Sequence, residues 1–282
     1  MIDTSQIFKE LGIPYFREVF EIIDRTMMAH GVPYYLVGAT SLALQLLQKG
    51  QRPMRATRDV DFAIMIGSNK QYDAIVDSLV EEGFAGFNVP HRMQHQGYHT
   101  MVDLLPFGDI EENDTVHFNN REVELHVLGF NQVLKEAEEL TIEGFQLKVP
   151  PMEGMIVLKM VAWSDRPEHR GSDLDDILLI IKRYFDFAED EIYEHHHDLF
   201  GSDDFDFNRI SAQVLGRKAG EILNRYDPLK NRILGVLEKE LISQESSKIA
   251  LQWARIMDQT VEHTQKILES FMNGLREGMI TS

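Results

Sequence analysis

RATRDVDFAIMIG, residues 55–67, places two aspartates one residue apart at the start of an apolar segment. Asp59 and Asp61 flank Val60, and an uncharged apolar run follows them to Ile66. Side chains in a β-strand alternate between the two faces of the sheet, so both carboxylates project from the same face. At an effective dielectric of about 20, two unit charges about 4 Å apart repel by roughly 4 kcal/mol. The pair therefore shares a proton, binds a cation, or faces water on a surface strand.

The segments on either side of this strand favour the cation. Upstream, YYLVGATSLAL (34–44) has the pattern of a strand, a glycine turn at Gly38 and a helix. A helix that begins after a glycine offers free N–H groups and a positive dipole end to a phosphate, and Thr40 and Ser41 add hydroxyl donors. Downstream, Asp103 is a single acid inside the apolar strand 98–107. A magnesium site for phosphoryl transfer can be built from three acids on neighbouring strands beside a helix start that binds phosphate.

Composition limits the class of protein. The chain has 282 residues, no cysteine and a formal net charge of −18. The acidity argues against broad nucleic-acid binding, which needs a basic surface. The absence of cysteine excludes disulfides and thiolate zinc sites. The N-terminal residues lack the pattern of a signal peptide, and no apolar run is long enough to span a membrane, so we expect a soluble cytoplasmic protein without membrane contacts.

The pattern of elements changes near Pro150-Pro151, from mixed α/β to helical. We therefore predict an α+β fold, with an α/β domain over 1–150 and a helical domain over 151–282. The predicted strands cover 34–38, 58–66, 98–107 and 145–149, with a hairpin over 115–130 turning at Asn119-Asn120. The predicted helices cover 5–30, 40–50, 68–83 (capped by Ser68) and 131–139, then 151–164, 171–184, 188–199, 208–225, 228–242 and 246–277.

The helical half contains an unusual lysine. In residues 155–163 every side chain except that of Lys159 is apolar, which is typical of a buried helix. A lysine there either has a charged partner or extends its long stem to the surface. Asp173 and Asp176 share one face of the next predicted helix. Asp173 has a second interpretation, because it also suits the positive dipole end of that helix.

Three histidines, His91, His95 and His99, are spaced four residues apart, which would align them on a helix. Pro90 and Gly97 interrupt the segment, so we predict a hairpin with exposed histidines and no metal site.

Taken together, LVGATSLAL, TRDVDFAI and MVDLL resemble the nucleotidyltransferase superfamily typified by DNA polymerase β. The signature of that superfamily is a glycine turn, then D-x-D, then a third acid on a later strand. This chain departs from it at Gly38-Ala39-Thr40, where the family often has a second glycine or serine. The run of Lys159, Arg166, Arg170, Asp173 and Asp176 resembles the AbiEii-type branch, the toxin of an abortive-infection toxin–antitoxin pair. DLLPFGDIEE, VLGFNQVLKEA, LKMVAWSDR and LGRKAGEIL resemble predicted bacterial nucleotidyltransferases related to it, over about residues 30–240.

The resemblance implies a nucleotidyltransferase fold and the transfer of NMP from an NTP with Mg²⁺ or Mn²⁺. By position, Asp59, Asp61 and Asp103 would hold the metal and carry catalysis. The resemblance assigns the other groups as follows: Gly38, Thr40, Ser41, Arg58 and Lys159 to the nucleotide, with Lys159 also catalytic, and Arg166, Arg170, Asp173 and Asp176 to the acceptor or to positioning. The helical domain would close the active-site cleft.

The acceptor is left open as a hydroxyl of a small molecule, a protein or a tRNA. A tRNA end requires a local basic patch, for which the candidates are Arg52, Arg55, Arg58, Arg166 and Arg170. An alternative function is a catalytically silent nucleotide- or partner-binding module in a toxin–antitoxin system, with an antitoxin as partner. A third is a metal-dependent hydrolase that uses the same acids.

Overall fold

The computed structural model describes residues 6–53, 57, 59–118, 123–201 and 205–280. The chain divides into two units, Met1–Pro151 and Met152–Ser282. The first unit combines helices with a mixed sheet, and the described residues of the second form helices and turns. This confirms the expected α+β class.

In the described part of the first unit, five strands form the main sheet, in the order β1-β2-β5-β4-β3. Their bounds are β1 Tyr34–Val37, β2 Asp59–Met65, β3 Phe84–Gly86, β4 Arg92–His95 and β5 Met101–Phe107. β2 and β5 run parallel, and the other neighbours are antiparallel. The inner strand β2 is buried over most of its apolar run: Val60, Phe62, Ala63 and Ile64 are fully buried, and Met65 at its end is exposed. The end of β2 that carries Asp59 and Asp61 therefore lies at the edge of the hydrophobic core.

The remaining elements of this unit cover the sheet or form hairpins. They are the helices α1 Ile7–Glu10, α2 Phe16–His30, α3 Gly38–Gln48, α4 Asn69–Glu81 and α5 Phe130–Leu134, and the strand pairs β6 Thr115–His117 with β7 Glu124–His126 and β8 Glu138–Ile142 with β9 Phe145–Val149. Ser68 caps α4 as predicted, accepting a hydrogen bond from the backbone N–H of Gln71. The hairpin turn predicted at Asn119-Asn120 lies outside the described residues.

Three predictions about this unit were wrong. The helix predicted over 5–30 breaks into α1 and α2, because Gly12 and Tyr15 adopt left-handed backbone conformations between them. Strand β3 was not predicted, whereas the hairpin predicted around His91–His99 is present as β4 paired with β5. Residues 138–142 pair as a strand instead of extending a helix to 139.

The second unit contains α6 Met152–Asp165, α7 Gly171–Phe187, α8 Glu189–His195, a 3-10 turn His197–Phe200, α9 Phe207–Leu223, α10 Asp227–Glu240, α11 Lys248–Met257 and α12 Val261–Ile280. The backbones of α9 and α12 pack in direct contact at two glycines. A Cβ atom on Gly274 or Gly278 would overlap the backbone of α9. The single helix predicted over 246–277 is wrong, since Asp258 takes a left-handed conformation that ends α11. Within the residues that the structure describes, no helix is long and apolar enough to cross a membrane.

Candidate active site

The register of the main sheet aligns four residues in one row across four strands. Val37 pairs with Asp61, Asp61 with Asp103, and Asp103 with Arg92. Asp59 lies two residues before Asp61 on the same strand and therefore on the same face. Each of the three aspartates offers one carboxylate oxygen, and these oxygens lie within 4.8 Å of one another. Asp103, more than 40 residues after Asp59 and Asp61 in the sequence, thus lies next to both of them in the sheet.

The three carboxylates differ in their exposure to solvent. Asp103 is buried, whereas Asp59 and Asp61 are partly exposed. Thr57 donates its hydroxyl to Asp59 Oδ1 over 3.3 Å and to the Asp59 carbonyl oxygen over 3.1 Å, which fixes the start of the strand. Three ionised carboxylates at this spacing repel one another strongly, and a nearby cation offsets that repulsion.

Arg92 supplies one such cation, and this role of Arg92 was not predicted from the sequence. Its Nε donates to Asp103 Oδ1 over 2.7 Å, and its Nη2 donates to Asp103 Oδ2 over 2.6 Å. The same Nη2 reaches Asp59 Oδ2 at 3.2 Å. The hydrogen bonds with Asp103 raise the pKa of Arg92 above its already high value, so the guanidinium remains charged. The hairpin predicted around His91–His99 contains Arg92, but pairing Arg92 with Asp103 needs the register of β4 on β5, which was not predicted.

Gly38 joins β1 to α3, and a side chain at this position would be strained. Its φ is +69°, in the left-handed region that favours glycine. A Cβ placed on Gly38 would also overlap Asp61 Oδ2. The start of α3 therefore lies directly against one of the three carboxylates. Val37, the N-cap residue of α3, makes no side-chain cap hydrogen bond, and the backbone N–H groups at a helix N-terminus suit an anion.

We predict that Gly38→Ala destabilises the chain more than Gly50→Ala does. Gly50 follows the C-terminus of the same helix with φ +73° and has nothing within 4 Å of its would-be Cβ. Both substitutions incur the left-handed strain of about 1–2 kcal/mol. Gly38→Ala adds overlap with Asp61, which we expect to cost about 1–3 kcal/mol more. Thermal unfolding followed by circular dichroism measures the difference, and equal melting temperatures would show that Asp61 moves aside freely.

Thr40 and Ser41, assigned to the nucleotide by resemblance, are fully buried. Thr40 donates its hydroxyl to the Asp59 carbonyl oxygen over 3.1 Å, and Ser41 accepts from Gln45 Nε2 at 3.4 Å. In this structure the two hydroxyls therefore tie α3 to β2 and to its own next turn. Their contact with a triphosphate stays a prediction.

The second unit brings Lys159, Asp173 and Asp176 together. The ammonium of Lys159 donates to Asp176 Oδ2 over 2.6 Å and to Asp173 Oδ1 over 3.2 Å. All three side chains are at least nine-tenths buried. The interpretation that Lys159 extends to the surface is therefore wrong. The exposed Arg170 approaches Asp173 Oδ2 at 3.5 Å, so Asp173 bridges a buried and an exposed cation.

The arginines proposed as a patch are divided between the two units, and their assembly into one patch stays a prediction. Arg55 and Arg58 lie outside the described residues. Arg52, in the first unit, is exposed and lies 3.8 Å from Glu10. Arg166 is exposed near the end of α6 in the second unit.

The prediction that all three histidines are exposed was wrong for His95. Its side chain is buried, stacks on Tyr98 at 4.3 Å and contacts the edge of Phe84. His91 is partly buried, and burial lowers its pKa, which favours the neutral imidazole. Among the described residues, the histidines contribute no ligand to the carboxylate cluster.

The solved structures that are similar to part of the chain include the following two. An antigenic nucleotidyltransferase-like protein from Paracoccidioides brasiliensis shares 17% identity at a TM-score of 0.39, covering 58% of this chain and 74% of that one. The antibiotic-resistance factor ANT(2'')-Ia shares 13% identity at a TM-score of 0.35, covering 64% of this chain and 96% of that one. No curated protein matches the chain.

The family model described as nucleotidyl transferase AbiEii toxin, type IV TA system, matches residues 27–276. The matched range holds the Gly38 turn, the three aspartates and the Lys159 cluster. It covers most of the chain and parts of both units. The chain therefore belongs to the AbiEii nucleotidyltransferase toxin family.

Proposed function

We propose that the protein transfers NMP from an NTP to an acceptor hydroxyl with the help of Mg²⁺ or Mn²⁺. The observation that carries the proposal is the convergence of Asp59, Asp61 and Asp103 beside the Gly38 helix start. Carboxylate oxygens are the ligands that Mg²⁺ and Mn²⁺ prefer in proteins. The donor set is therefore suited to a hard divalent cation, and the adjoining helix start is suited to the phosphates of a nucleotide.

The proposed reaction breaks one bond and forms one at the α-phosphorus. The acceptor oxygen bonds to the α-phosphorus, and the bond from that phosphorus to the oxygen bridging to the β-phosphate breaks, releasing pyrophosphate. A bound divalent cation would lower the pKa of the acceptor hydroxyl and neutralise charge on the leaving pyrophosphate. Asp59 and Asp61 would hold the cation, and Asp103 would complete the site at which the hydroxyl loses its proton.

The contribution of the helical unit follows from the resemblance. Lys159 is proposed to bind a phosphate or the nucleotide, and Asp173 and Asp176 to position its ammonium. Arg166 and Arg170 are proposed to contact the acceptor, and Arg58 the phosphates. The distances of 2.6 Å and 3.2 Å from Lys159 to the two acids support the positioning role, because they fix the ammonium at the end of its stem.

The acceptor class can be narrowed by charge. A formal charge of −18 disfavours a long RNA, which needs many cationic contacts. We therefore favour a hydroxyl on a small molecule or a protein, with a local contact to a tRNA end as the alternative. The family belongs to a toxin–antitoxin system, so an antitoxin is the proposed partner.

One observation favours the alternative of a catalytically silent module. Arg92 already neutralises part of the carboxylate cluster, as a structural arginine in an inactive site would. The two functions differ in whether they need the metal: a transferase needs it, whereas a silent module could bind nucleotide without it.

We predict that NTP binds in the presence of Mg²⁺ and binds far more weakly in excess EDTA. Mg²⁺ is usually held by one or two carboxylates together with substrate phosphates, so each ligand needs the other. Calorimetry with each of the four NTPs, with Mg²⁺ or with EDTA, measures this dependence. Equal affinity in EDTA would favour the silent module over the transferase.

A further inference from the structure

Arg92 contacts acids on two strands, and only one of those strands is next to its own. Arg92 lies on β4 opposite Asp103 on β5, so a cross-strand pair between them is expected from the register alone. Its Nη2 also reaches Asp59 on β2, one strand further, at 3.2 Å. The guanidinium therefore lies among the carboxylates instead of merely joining two adjacent strands.

The formal charges of Asp59, Asp61, Asp103 and Arg92 do not cancel one another. Asp59, Asp61 and Asp103, when ionised, carry three negative charges, and Arg92 carries one positive charge. The cluster with Arg92 thus has a net charge of two negative units, which one divalent cation neutralises. Without Arg92 the same acids would attract divalent cations more strongly.

We propose that Arg92 is a built-in counter-ion that competes with a bare divalent cation for Asp59 and Asp103. The nucleotide-free protein then binds such a cation weakly. When the cation arrives with the phosphates of an NTP, those phosphates offer the guanidinium a new partner, since the planar fork of arginine suits phosphate as well as carboxylate. This proposal rests on the proposed function, because it assumes that the three acids bind the cation.

The geometry allows the exchange. The contact with Asp103 is bidentate and short, which keeps Arg92 attached to β5. The contact with Asp59 is single and longer, and the side chains of Arg92 and Asp59 are 33% and 40% exposed. The guanidinium can therefore leave Asp59 without crossing the hydrophobic core.

The test is Mn²⁺ binding by the full-length, nucleotide-free chain, measured from the free Mn²⁺ signal in electron paramagnetic resonance. Wild type is compared with Arg92→Gln and with Arg25→Gln. Arg25 forms an exposed ion pair with Glu82 in the same unit, so its substitution changes the net charge equally at a distant surface. We expect Arg92→Gln to bind Mn²⁺ at least about tenfold more tightly than wild type, because a like charge beside the ion is removed. Arg25→Gln should bind as wild type does.

Equal or weaker Mn²⁺ binding by Arg92→Gln would overturn the proposal, because it would make Arg92 a structural partner that positions Asp103. If Arg92→Gln is unfolded in EDTA, Mn²⁺ should restore its cooperative melting, and a variant that stays unfolded with Mn²⁺ would overturn the proposal too. Failure of the proposed function gives a separate pattern, in which wild type binds no Mn²⁺ even with NTP present. Metal binding by wild type with NTP, without a gain in Arg92→Gln, would remove the role of Arg92 alone.

Discussion

Asp61→Asn is expected to abolish nucleotidyl transfer and to leave the fold intact. Asp61 pairs with Val37 on one side and with Asp103 on the other, and its carboxylate lies beside Gly38. Asparagine keeps the shape of the side chain and removes the charge that would hold a cation. We expect the transfer rate to fall by at least about 10²–10³-fold, the effect of losing one preorganised electrostatic group.

The stability of this variant separates a functional from a structural role. Removing one of several repelling carboxylates should leave the melting temperature unchanged or raise it, since functional sites store strain. Asp73→Asn is the matched control, because Asp73 is exposed on α4 in the same unit. A melting temperature many degrees below that of the control would make Asp61 a structural residue.

Lys159→Met is expected to destabilise the helical unit strongly. Methionine has a similar stem, so the sequence alone suggests that the buried helix α6 tolerates it. The structure reverses that expectation, because Asp173 and Asp176 would be left buried without the ammonium that both contact. Breaking a buried pair by removing one partner typically costs about 3–5 kcal/mol. Lys182→Met, at an exposed position on α7, should change stability by no more than about 0.5 kcal/mol.

Tryptophan fluorescence suits this measurement, because both tryptophans of the chain, Trp163 and Trp253, lie in the helical unit. Urea unfolding followed by fluorescence therefore reports on that unit. Adding Asp176→Asn to Lys159→Met should recover part of the lost stability, since one buried negative charge that faced the ammonium is removed. A wild-type unfolding curve for Lys159→Met would contradict the buried ion pairs.

The transfer rate of the same variant tests the second role of Lys159. Measured well below its melting temperature, Lys159→Met should transfer NMP about 10²–10³-fold more slowly if the ammonium meets charge on the transferring phosphate. A rate within twofold of wild type would remove Lys159 from the catalytic groups. The carboxylates of the first unit would then carry the chemistry without it.

Local patterns in the sequence predict much of the site. The alternation around Asp59 and Asp61, the apolar strand around Asp103 and the glycine at position 38 are each visible within about ten residues. They are visible because a strand or a turn imposes its own periodicity and backbone conformation on its sequence. The Ser68 cap was predictable for the same reason.

Long-range pairing could not be predicted in this way. Arg92 reaches Asp103 only because short strand β4 pairs with β5 in one particular register, and β4 has just four residues. The partners of Lys159 depend similarly on how α6 packs against α7. The sequence shows that Asp173 and Asp176 share one helix face, but not that this face meets Lys159. The left-handed residue Asp258, which ends α11, gives no signal in the periodicity on either side of it.

Labelled-nucleotide transfer tests the central claim most directly. Wild type and Asp61→Asn are incubated with a cell extract, Mg²⁺ and each NTP in turn, labelled on either the α- or the γ-phosphate, and the macromolecular and small-molecule fractions are separated. We predict that wild type moves the α-label, and not the γ-label, into one fraction, and that Asp61→Asn or EDTA prevents it. Transfer of the γ-label, or α-label uptake that persists in Asp61→Asn, would contradict a nucleotidyltransferase centred on Asp59, Asp61 and Asp103.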